Sequence, residues 1–355
     1  EPEEPAVRRG VSLALAAVLL LAVCGALPRP REMGDMALLR VMGVDRGESG
    51  PAMSAATGPQ PPEQPARLWR GEGSSLSAAA QAIQSRSDRY VFFGYVDQLL
   101  LGEEQSRRGV EDIFAYVARD AQLSLAARLW VVRGDTARMA LEAGGDRGVE
   151  SRLATLAADG EMGLSIRPRR VGEMYTQLLE RGCAYAPALT VGEAELTAAG
   201  YAVFAGDKLA GYLEGESARG LALLLGHPLT EVVEIALPGG RAAARITGAK
   251  TVSRFTGPEG RLRLTCRVTA ELAEGNGPLS ETERETVCRR LESLAEHEVT
   301  SALEQMRAWK ADCAELGPRA ALSDPGLWSS LESDWPEVFF RLEPEVTVRA
   351  DLPGG

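Results

Sequence analysis

The two histidines of the chain decide whether it could hold a catalytic metal. His227 and His297 lie far apart in a sequence of 355 residues. A zinc site needs three or four clustered histidine, cysteine or carboxylate ligands. The run Glu296-His297-Glu298 lacks the second histidine four positions later that a zinc-protease helix requires. The sequence therefore predicts no metal site and no cofactor. His227 is interpreted as a residue at a helix end, and His297 as part of a charged helix face.

Other catalytic patterns are also missing from the sequence. It has no Gly-x-Ser-x-Gly elbow, no P-loop and no glycine-rich dinucleotide fingerprint. Carboxylates are numerous, but their spacing does not single out a pair that could serve as general acid and base. We therefore predict no catalytic residue, and a protein that is not an enzyme.

Four cysteines follow residue 24, namely Cys183, Cys266, Cys288 and Cys313. The apolar pattern places Cys288 and Cys313 on one long helix, where a rise of about 1.5 Å per residue separates them by roughly 37 Å. The Cα atoms of a disulfide lie about 4.4–6.8 Å apart, so these two cannot pair within a straight helix. An exported chain could form disulfides, but we expect buried free thiols that act as small apolar side chains.

Cys24 differs from the other cysteines because it directly follows an apolar run. Arg8 and Arg9 precede the uncharged stretch Val11–Val23. A membrane-spanning helix needs about 20 apolar residues, whereas a secretory signal has a basic flank and a shorter apolar core. The pattern favours a signal peptide over residues 1–23. A true membrane span or a buried helix remains the alternative.

The residues that end this run resemble the lipobox of bacterial lipoproteins. The segment Leu21-Ala22-Val23-Cys24 ends on the cysteine whose thiol would take a diacylglyceryl group. Each buried methylene of an acyl chain contributes about 0.8 kcal/mol to membrane binding, so two or three chains form a firm tether. We predict lipidation at Cys24 and a lipidated linker over residues 24–31. A stray cysteine in an apolar run is the alternative.

Composition and charge restrict the classes of partner. The chain has 45% hydrophobic and 25% charged residues, and its formal net charge is −11. Nucleic-acid binding requires a clustered basic face, so we predict no nucleic-acid partner. The acidic balance also argues against attachment to anionic lipid by charge, and the predicted attachment to the membrane is therefore the lipid anchor.

Apolar periodicity indicates alternating strands and helices over residues 32–190, which favours a mixed α/β domain. The small-residue segment 46–65 is predicted to be a loop. The predicted elements are strands at 38–45, 66–70, 90–96 and 125–133, and helices at 75–88, 106–120, 136–143, 149–158 and 171–181.

A second domain is predicted over residues 195–355, with residue 240 as a candidate point of further division. Its first two strands, 200–205 and 208–213, are joined by Gly206-Asp207, a pair that hairpin turns prefer. Ser280 and Glu283 form a capping-box pattern at the start of the longest helix, whose apolar stripe continues to Gly317.

Seven short stretches are informative when their order and spacing are considered together. They are Arg31–Ala37, Val41–Gly47, Leu100–Glu104, Gly109-Val110, Arg119-Asp120, Ala202–Leu213 and Trp335–Phe339. In this order and spacing they resemble the Ger(x)C family, the C subunits of spore germinant receptors. Ala202–Leu213 is the most specific stretch. The resemblance runs from Cys24 almost to Gly355.

The resemblance implies a non-enzymatic, lipid-anchored subunit of a GerA-type nutrient germinant receptor. Such a subunit would lie on the outer face of the spore inner membrane and act in germination beside two integral membrane subunits, one A-type and one B-type. The family also implies several small mixed α/β domains. Together with the patterns above, this predicts an α+β fold class with mainly antiparallel sheets and a long C-terminal helix.

Two other functions remain alternatives, and two local features of the sequence allow a second interpretation. The chain could be a solute-binding lipoprotein of an uptake system, or a secreted hydrolase that uses some of its carboxylates. Asp207 and Lys208 are interpreted as hairpin turn residues, with contact to a partner as the alternative. The aromatic residues between Tyr90 and Tyr95 are interpreted as core rather than as a ligand pocket.

Overall fold

Fourteen strands and eleven α-helices make up the part of the chain that the computed structural model describes. These residues are 35–58, 65–158, 166–192, 195–229, 232–238, 240–257, 260–274 and 279–353, with Ala16 and Val18. The chain divides into two units, residues 1–37 and residues 38–355.

The strands are β1 (Met36–Arg46), β2 (Pro51–Thr57), β3 (Leu68–Glu72), β4 (Tyr90–Phe92), β5 (Gln98–Gly102), β6 (Arg128–Val132), β7 (Arg169–Arg170), β8 (Cys183–Val191), β9 (Leu196–Ala205), β10 (Lys208–Leu213), β11 (Val232–Leu237), β12 (Gly240–Thr256), β13 (Arg261–Glu274) and β14 (Glu345–Asp351). The helices are α1 (Leu76–Ser85), α2 (Glu103–Arg108), α3 (Glu111–Arg119), α4 (Ala137–Glu142), α5 (Glu150–Ala158), α6 (Val171–Arg181), α7 (Gly215–Leu224), α8 (Glu281–Ala308), α9 (Leu316–Ala321), α10 (Pro325–Leu331) and α11 (Trp335–Arg341).

Ten strands form one sheet in the order β10-β9-β8-β6-β5-β1-β2-β3, and β4 pairs with β1 and β7 with β6. The central strands β1, β5, β6 and β8 run parallel to their neighbours in that group. The outer pairs on both sides are antiparallel. Parallel strands are covered on both faces, and every residue of β5 is buried.

The two faces of this sheet contribute to two different cores. Along β5, Leu99 and Leu101 belong to one core and Leu100 to the other, as the alternation of side chains in a strand requires. Helices α1 and α3 cover the first face, and α4 and α5 cover the second. The predicted alternation of strands and helices therefore forms a helix layer on each side of one sheet.

The second sheet has four strands in the order β11-β12-β13-β14, of which only β13 and β14 pair in parallel. One face is apolar, with Leu262, Leu264, Cys266 and Val268 buried in the same core as residues of α8. The other face is exposed and polar. Most strand pairs in the two sheets are antiparallel, and the predicted α+β class with a long C-terminal helix is confirmed.

Helix α8 begins as predicted. The Ser280 hydroxyl accepts the N–H of Glu283, and the Glu283 carboxylate accepts the main-chain N–H of Ser280 at 2.9 Å. Its predicted end was wrong, because the helix stops at Ala308 and the chain turns through Lys310 and Glu315, which both have positive φ. Cys288 and Cys313 therefore do not share one helix.

Two other predictions of local structure were wrong, and one strand was not predicted. The predicted loop 46–65 contains β2, whose small residues are buried between β1 and β3 and show no alternation. Strand β8 was not predicted, because its run of buried residues contains several alanines and Pro187. The predicted helix 106–120 is two helices separated at Gly109, which has a φ of 146°.

The chain crosses the predicted domain boundary within one sheet. Strands β9 and β10 follow residue 195, yet they pair with β8 and extend the ten-stranded sheet. The division into domains at 32–190 and 195–355 stays a prediction.

Candidate functional site

The predicted lipidation site lies outside the described residues. Cys24, the linker 24–31 and the signal segment 1–23, except for Ala16 and Val18, are not among the described residues. Lipidation at Cys24 therefore stays a prediction. None of the helices among the described residues is long and apolar enough to cross a bilayer.

The stretches Val41–Gly47 and Leu100–Glu104 meet at the carboxyl ends of β1 and β5. Asp45 is buried there and accepts the main-chain N–H groups of Ala137 at 2.6 Å and Arg138 at 2.9 Å. Burial raises the pKa of Asp45, and these two hydrogen bonds to the carboxylate partly oppose that rise. Asp45 thus caps the amino end of α4 and fixes this helix to the sheet.

The stretch Ala202–Leu213 reaches the same edge through Tyr212. The Tyr212 hydroxyl donates to Glu103 Oε2 at 3.1 Å, and the same oxygen accepts the N–H of Gly134 at 2.5 Å. Arg107 donates to the other oxygen of Glu103 at 2.7 Å. Burial favours a higher pKa for Glu103, but the hydrogen bonds of these three donors outweigh it and lower the pKa. Glu103 is therefore a fixed anionic acceptor.

We call Asp45, Gly102, Glu103 and Tyr212 the motif cluster, since each belongs to a stretch quoted for the family resemblance. Asp45 and Glu103 connect the carboxyl ends of β1 and β5 to the segment 134–138 that follows β6, and Tyr212 connects β10 to Glu103. Asp45, Gly102 and Glu103 border an open cavity of about 400 Å³. A Cβ at Gly102 would lie 2.1 Å from Asp45 Oδ1, so a side chain there would displace the Asp45 carboxylate.

The turn between β9 and β10 also has a structural role. The carbonyl of Asp207 accepts the N–H of Val110 at 2.9 Å. A Cβ at Gly109 would lie 2.3 Å from Asp207 Oδ2. Lys208 is exposed and has no ionic partner among the described residues. The predicted turn is present, and it also anchors the break between α2 and α3.

A second polar group joins residues from before and after the predicted boundary. Gln177 on α6 is buried and its Nε2 donates to the carbonyl of Cys313 at 3.0 Å and to Glu315 Oε1 at 3.1 Å. Its Oε1 accepts Arg169 Nη2 at 3.0 Å. We call these four residues the Gln177 junction. The Arg169 guanidinium also lies 4.2 Å from the ring centroid of Tyr185, a favourable cation–π distance.

Asp312 organises the segment beside this junction. Its buried carboxylate accepts the N–H groups of Leu316 and Gly317 at 2.8 Å each, and the indole N–H of Trp335 at 3.0 Å. Burial raises its pKa against the opposing effect of these hydrogen bonds. Trp335 in turn packs against Trp328, with ring centroids 5.2 Å apart. Sequence reasoning missed Asp312 and Gln177, because a single buried polar residue has no periodic signal.

The histidines lie apart from these groups. His227 is exposed just after α7, and burial, with a smaller effect from Arg167, lowers its pKa. His297 is exposed on α8 and its Nε2 lies 3.1 Å from Glu216 Oε2. Within the described ranges, no three histidine, cysteine or carboxylate residues are grouped so that they could hold a metal ion.

The four cysteines of the described residues are free thiols. Cys183, Cys266 and Cys313 are buried, and Cys288 is half-buried on α8. Burial raises the pKa of all four thiols. Because the thiolate is the reactive form, the raised pKa values disfavour reactions of these thiols at neutral pH.

The aromatic residues near β4 are only partly core. Val91 is buried and Phe93 packs against the core, but Tyr95 is exposed and stacks edge-on against Phe92 at 5.7 Å between ring centroids. The interpretation of the whole aromatic run as core was therefore wrong for Tyr95, because the strand ends at Phe92 and the chain turns outward.

An open cleft of about 770 Å³ lies among the described residues. Arg46, Arg108 and Arg119 line it together with acidic residues such as Asp120. Burial, with Asp120 nearby, raises the pKa of Tyr116 in its wall to about 12. Because both signs of charge line the cleft, it does not select a ligand of one charge.

Comparisons with known proteins extend over almost the whole chain. A family model described as "Spore germination protein N-terminal domain" matches residues 29–191. A second, described as "Spore germination B3/ GerAC like, C-terminal", matches residues 199–353. The putative spore germination protein YfkR of Bacillus subtilis is 24% identical over 299 residues, which cover 80% of this chain and 77% of that protein.

The fold has a match among solved structures. The crystal structure of the GerBC protein superimposes with a TM-score of 0.59 at 15% identity, covering 88% of this chain and 97% of the other. At this identity the likeness concerns the fold alone, and it agrees with the mixed α and β architecture found here. The two family models carry the assignment, because together they match nearly all residues after the predicted lipidation site, and the chain therefore belongs to the GerAC-like, or Ger(x)C, family of spore germination proteins.

Proposed function

We propose that the chain is the lipid-anchored subunit of a nutrient germinant receptor, attached through acylated Cys24 to the outer face of the spore inner membrane. In this role it acts in germination through contacts with two integral membrane subunits, an A-type and a B-type. The observation that carries the proposal is the match of both family models, in order, at residues 29–191 and 199–353.

The buried carboxylates support a binding role rather than catalysis. Asp45 caps α4, Asp312 accepts three N–H groups, and Glu298 receives the Arg219 guanidinium at 2.5 Å. Each carboxylate therefore has its own structural partners. A hydrolase would need two carboxyl groups that converge on one substrate, and these three are committed to separate helices and turns.

The architecture gives little support to the solute-binding alternative. That class predicts two similar lobes facing each other across a cleft. The two sheets of this chain differ in strand number, order and direction. The large cleft is lined only by residues 46–120 and so does not lie between the sheets.

The anchor is tested on the wild-type chain in membranes of sporulating cells. Mass spectrometry should find Cys24 as the first residue, with an acyl modification. An amino terminus upstream of residue 24, together with an unmodified Cys24 thiol, would contradict the anchor.

The receptor role is tested by deleting the gene and scoring nutrient-triggered germination in a strain without paralogues. Wild type and Cys288→Ala, a matched change of a half-buried free thiol, should restore germination. Cys24→Ala should not, because the chain would lack its tether. Germination that is unchanged by the deletion would overturn the proposal.

A further inference from the structure

The exposed face of the four-stranded sheet carries an unusual concentration of positive charge. Along β12, β13 and β14, successive side chains point alternately to this exposed face and to the buried face. We give the name basic face to the six exposed cations in the half of the exposed face formed by residues 250–256, 261–267 and 345–349: Lys250, Arg254, Arg261, Arg263, Arg267 and Arg349. The chain as a whole has a net charge of −11, so the basic face is opposite in sign to the rest of the molecule.

Strand register places these cations directly opposite one another. Lys250 pairs with Arg267 and Arg254 with Arg263 across β12 and β13, and Arg267 lies beside Arg349 across β13 and β14. Like charges at directly opposed positions destabilise a sheet. The arrangement therefore costs folding free energy, which an anionic partner bound to the face would offset.

Four of the six cations of the basic face lack an ionic partner among the described residues. Arg263 forms an ion pair with Glu345 at 3.0 Å. Lys250, Arg254, Arg267 and Arg349 have no ionic partner among the described residues. Of the other carboxylates on the exposed face, Glu234 and Glu271 lie toward the opposite end of the strands, and Asp351 follows Arg349 by one position on the same face. The cations without an ionic partner therefore lie in the half of the face away from Glu234 and Glu271.

The shape of the face suits an extended surface better than a small molecule. Its shallow concavity, about 490 Å³, is lined only by residues of β12 and β13. Within the described part of the chain no other element forms a wall around it, and these residues would not enclose a small ligand. Val252 is 38% exposed at its centre, between the two pairs of cations. An apolar side chain amid basic ones is compatible with the interfacial region of a lipid bilayer.

We propose that the basic face binds the anionic phospholipid surface of the membrane, and thereby orients the chain on it. This inference rests on the proposed membrane attachment, and it adds the surface that faces the lipid. Basic residues close to an anionic bilayer are attracted to it, and the attraction decays within a Debye length. The remaining, acidic surface is repelled, so one orientation is favoured. Net charge alone argued against binding to anionic lipid, because it conceals this local distribution.

The three lysines of the chain provide a test with internal controls. Lys250 lies on the basic face, Lys208 is exposed at the β9–β10 turn, and Lys310 is paired with Glu337 at 2.5 Å. The full chain, purified from membranes, is reconstituted with vesicles of phosphatidylcholine alone or of phosphatidylcholine and phosphatidylglycerol in equal parts. Amine acetylation at each lysine is then followed by mass spectrometry.

We expect acetylation of Lys250 to be about fivefold slower on the phosphatidylglycerol vesicles, comparable to the contribution of one basic residue near an anionic surface. The rate at Lys208 should be the same on both, and high salt should abolish the difference at Lys250. Equal acetylation of Lys250 on both kinds of vesicle, with the chain attached to both, overturns this inference alone. Attachment to neither overturns the anchor as well. Attachment to the phosphatidylglycerol vesicles alone supports the face and counts against the anchor.

Charge reversal tests whether the basic face itself, rather than the overall charge of the chain, protects Lys250 from acetylation. The double variant Arg254→Glu/Arg267→Glu should lose the protection of Lys250. The control Arg290→Glu, at an exposed position of α8, should retain it. Protection that survives the double variant would overturn the proposal. Protection that arises only when integral membrane subunits are present would overturn it in favour of an acidic protein partner.

Discussion

The side-chain amide of Gln177 donates to the main-chain carbonyl of Cys313 at 3.0 Å, across 136 positions of sequence. This bond and its neighbours at Arg169 and Glu315 connect helix α6 to the turn that follows α8. The two parts of the chain that the family models match separately are therefore held together by a buried polar junction.

We predict that Gln177→Leu lowers the free energy of unfolding by about 1–3 kcal/mol, because it leaves the buried Cys313 carbonyl and Arg169 without their partner. Chemical denaturation of the purified protein measures the change. Gln81→Leu, at an exposed position of α1, is the matched control and should stay within about 0.5 kcal/mol of wild type. Equal stability of the two variants would contradict the role of the junction.

Asp312 should make stability fall as pH rises through the acid range. Burial raises its pKa in the folded protein above the ordinary value of 3.8. As pH rises past that value, the unfolded chain loses its proton first, so the contribution of Asp312 to stability falls until the raised pKa is reached. Asp312→Asn should lack this contribution. The difference in unfolding free energy between wild type and variant, measured against pH, should therefore decline from about pH 4 upward; a rising difference would contradict this.

Glu103 should have the opposite pH dependence. Its pKa is lowered from 4.5 in the folded protein, because the hydrogen bonds it accepts outweigh the effect of burial. Its contribution to stability is therefore present above about pH 4.5 and is lost as pH falls through the lowered pKa. Glu103→Gln should lose this contribution, whereas its exposed neighbour Glu104→Gln should not. The melting temperatures of the two variants and of the wild type, measured from neutral to acid pH, test this difference.

Gly317 should tolerate no side chain. A Cβ at this position of α9 would lie 2.3 Å from the Trp335 ring and 2.8 Å from Trp328. Overpacking of this kind typically costs about 1–3 kcal/mol. Gly326, also the second residue of a short helix, has no atom closer than 3.6 Å to its Cβ. Gly326→Ala should therefore be neutral or stabilising, and a denaturation series in which both variants match would contradict the packing argument.

Local signals predicted much of the fold. The capping box at Ser280, the hairpin between β9 and β10, and the alternation of β13 each depend on residues close in sequence, and the structure contains all three. Strands β2 and β8 escaped prediction because their burial on both faces removes alternation. The break at Gly109 depends on Asp207, which is distant in sequence.

The sequence identified the stretches that contribute to the motif cluster, but it did not show that residues of these stretches contact one another. Nothing in the spacing of Glu103 and Tyr212 indicates that they share a hydrogen bond, since only the strand order brings them together. The basic face was missed for a similar reason. Its cations are spread over three strands whose alignment depends on the parallel pairing of β13 with the last strand of the chain.

The pairing of β8 with β9 has a consequence for dividing the protein. A truncation after residue 191 would follow the limit of the first family model, yet it would strip β8 of its antiparallel neighbour. The main-chain amides and carbonyls of a long apolar strand would then face solvent, which invites association between copies. A fragment that keeps β8 and β9 paired must extend at least through Leu213, where β10 forms the edge of the sheet.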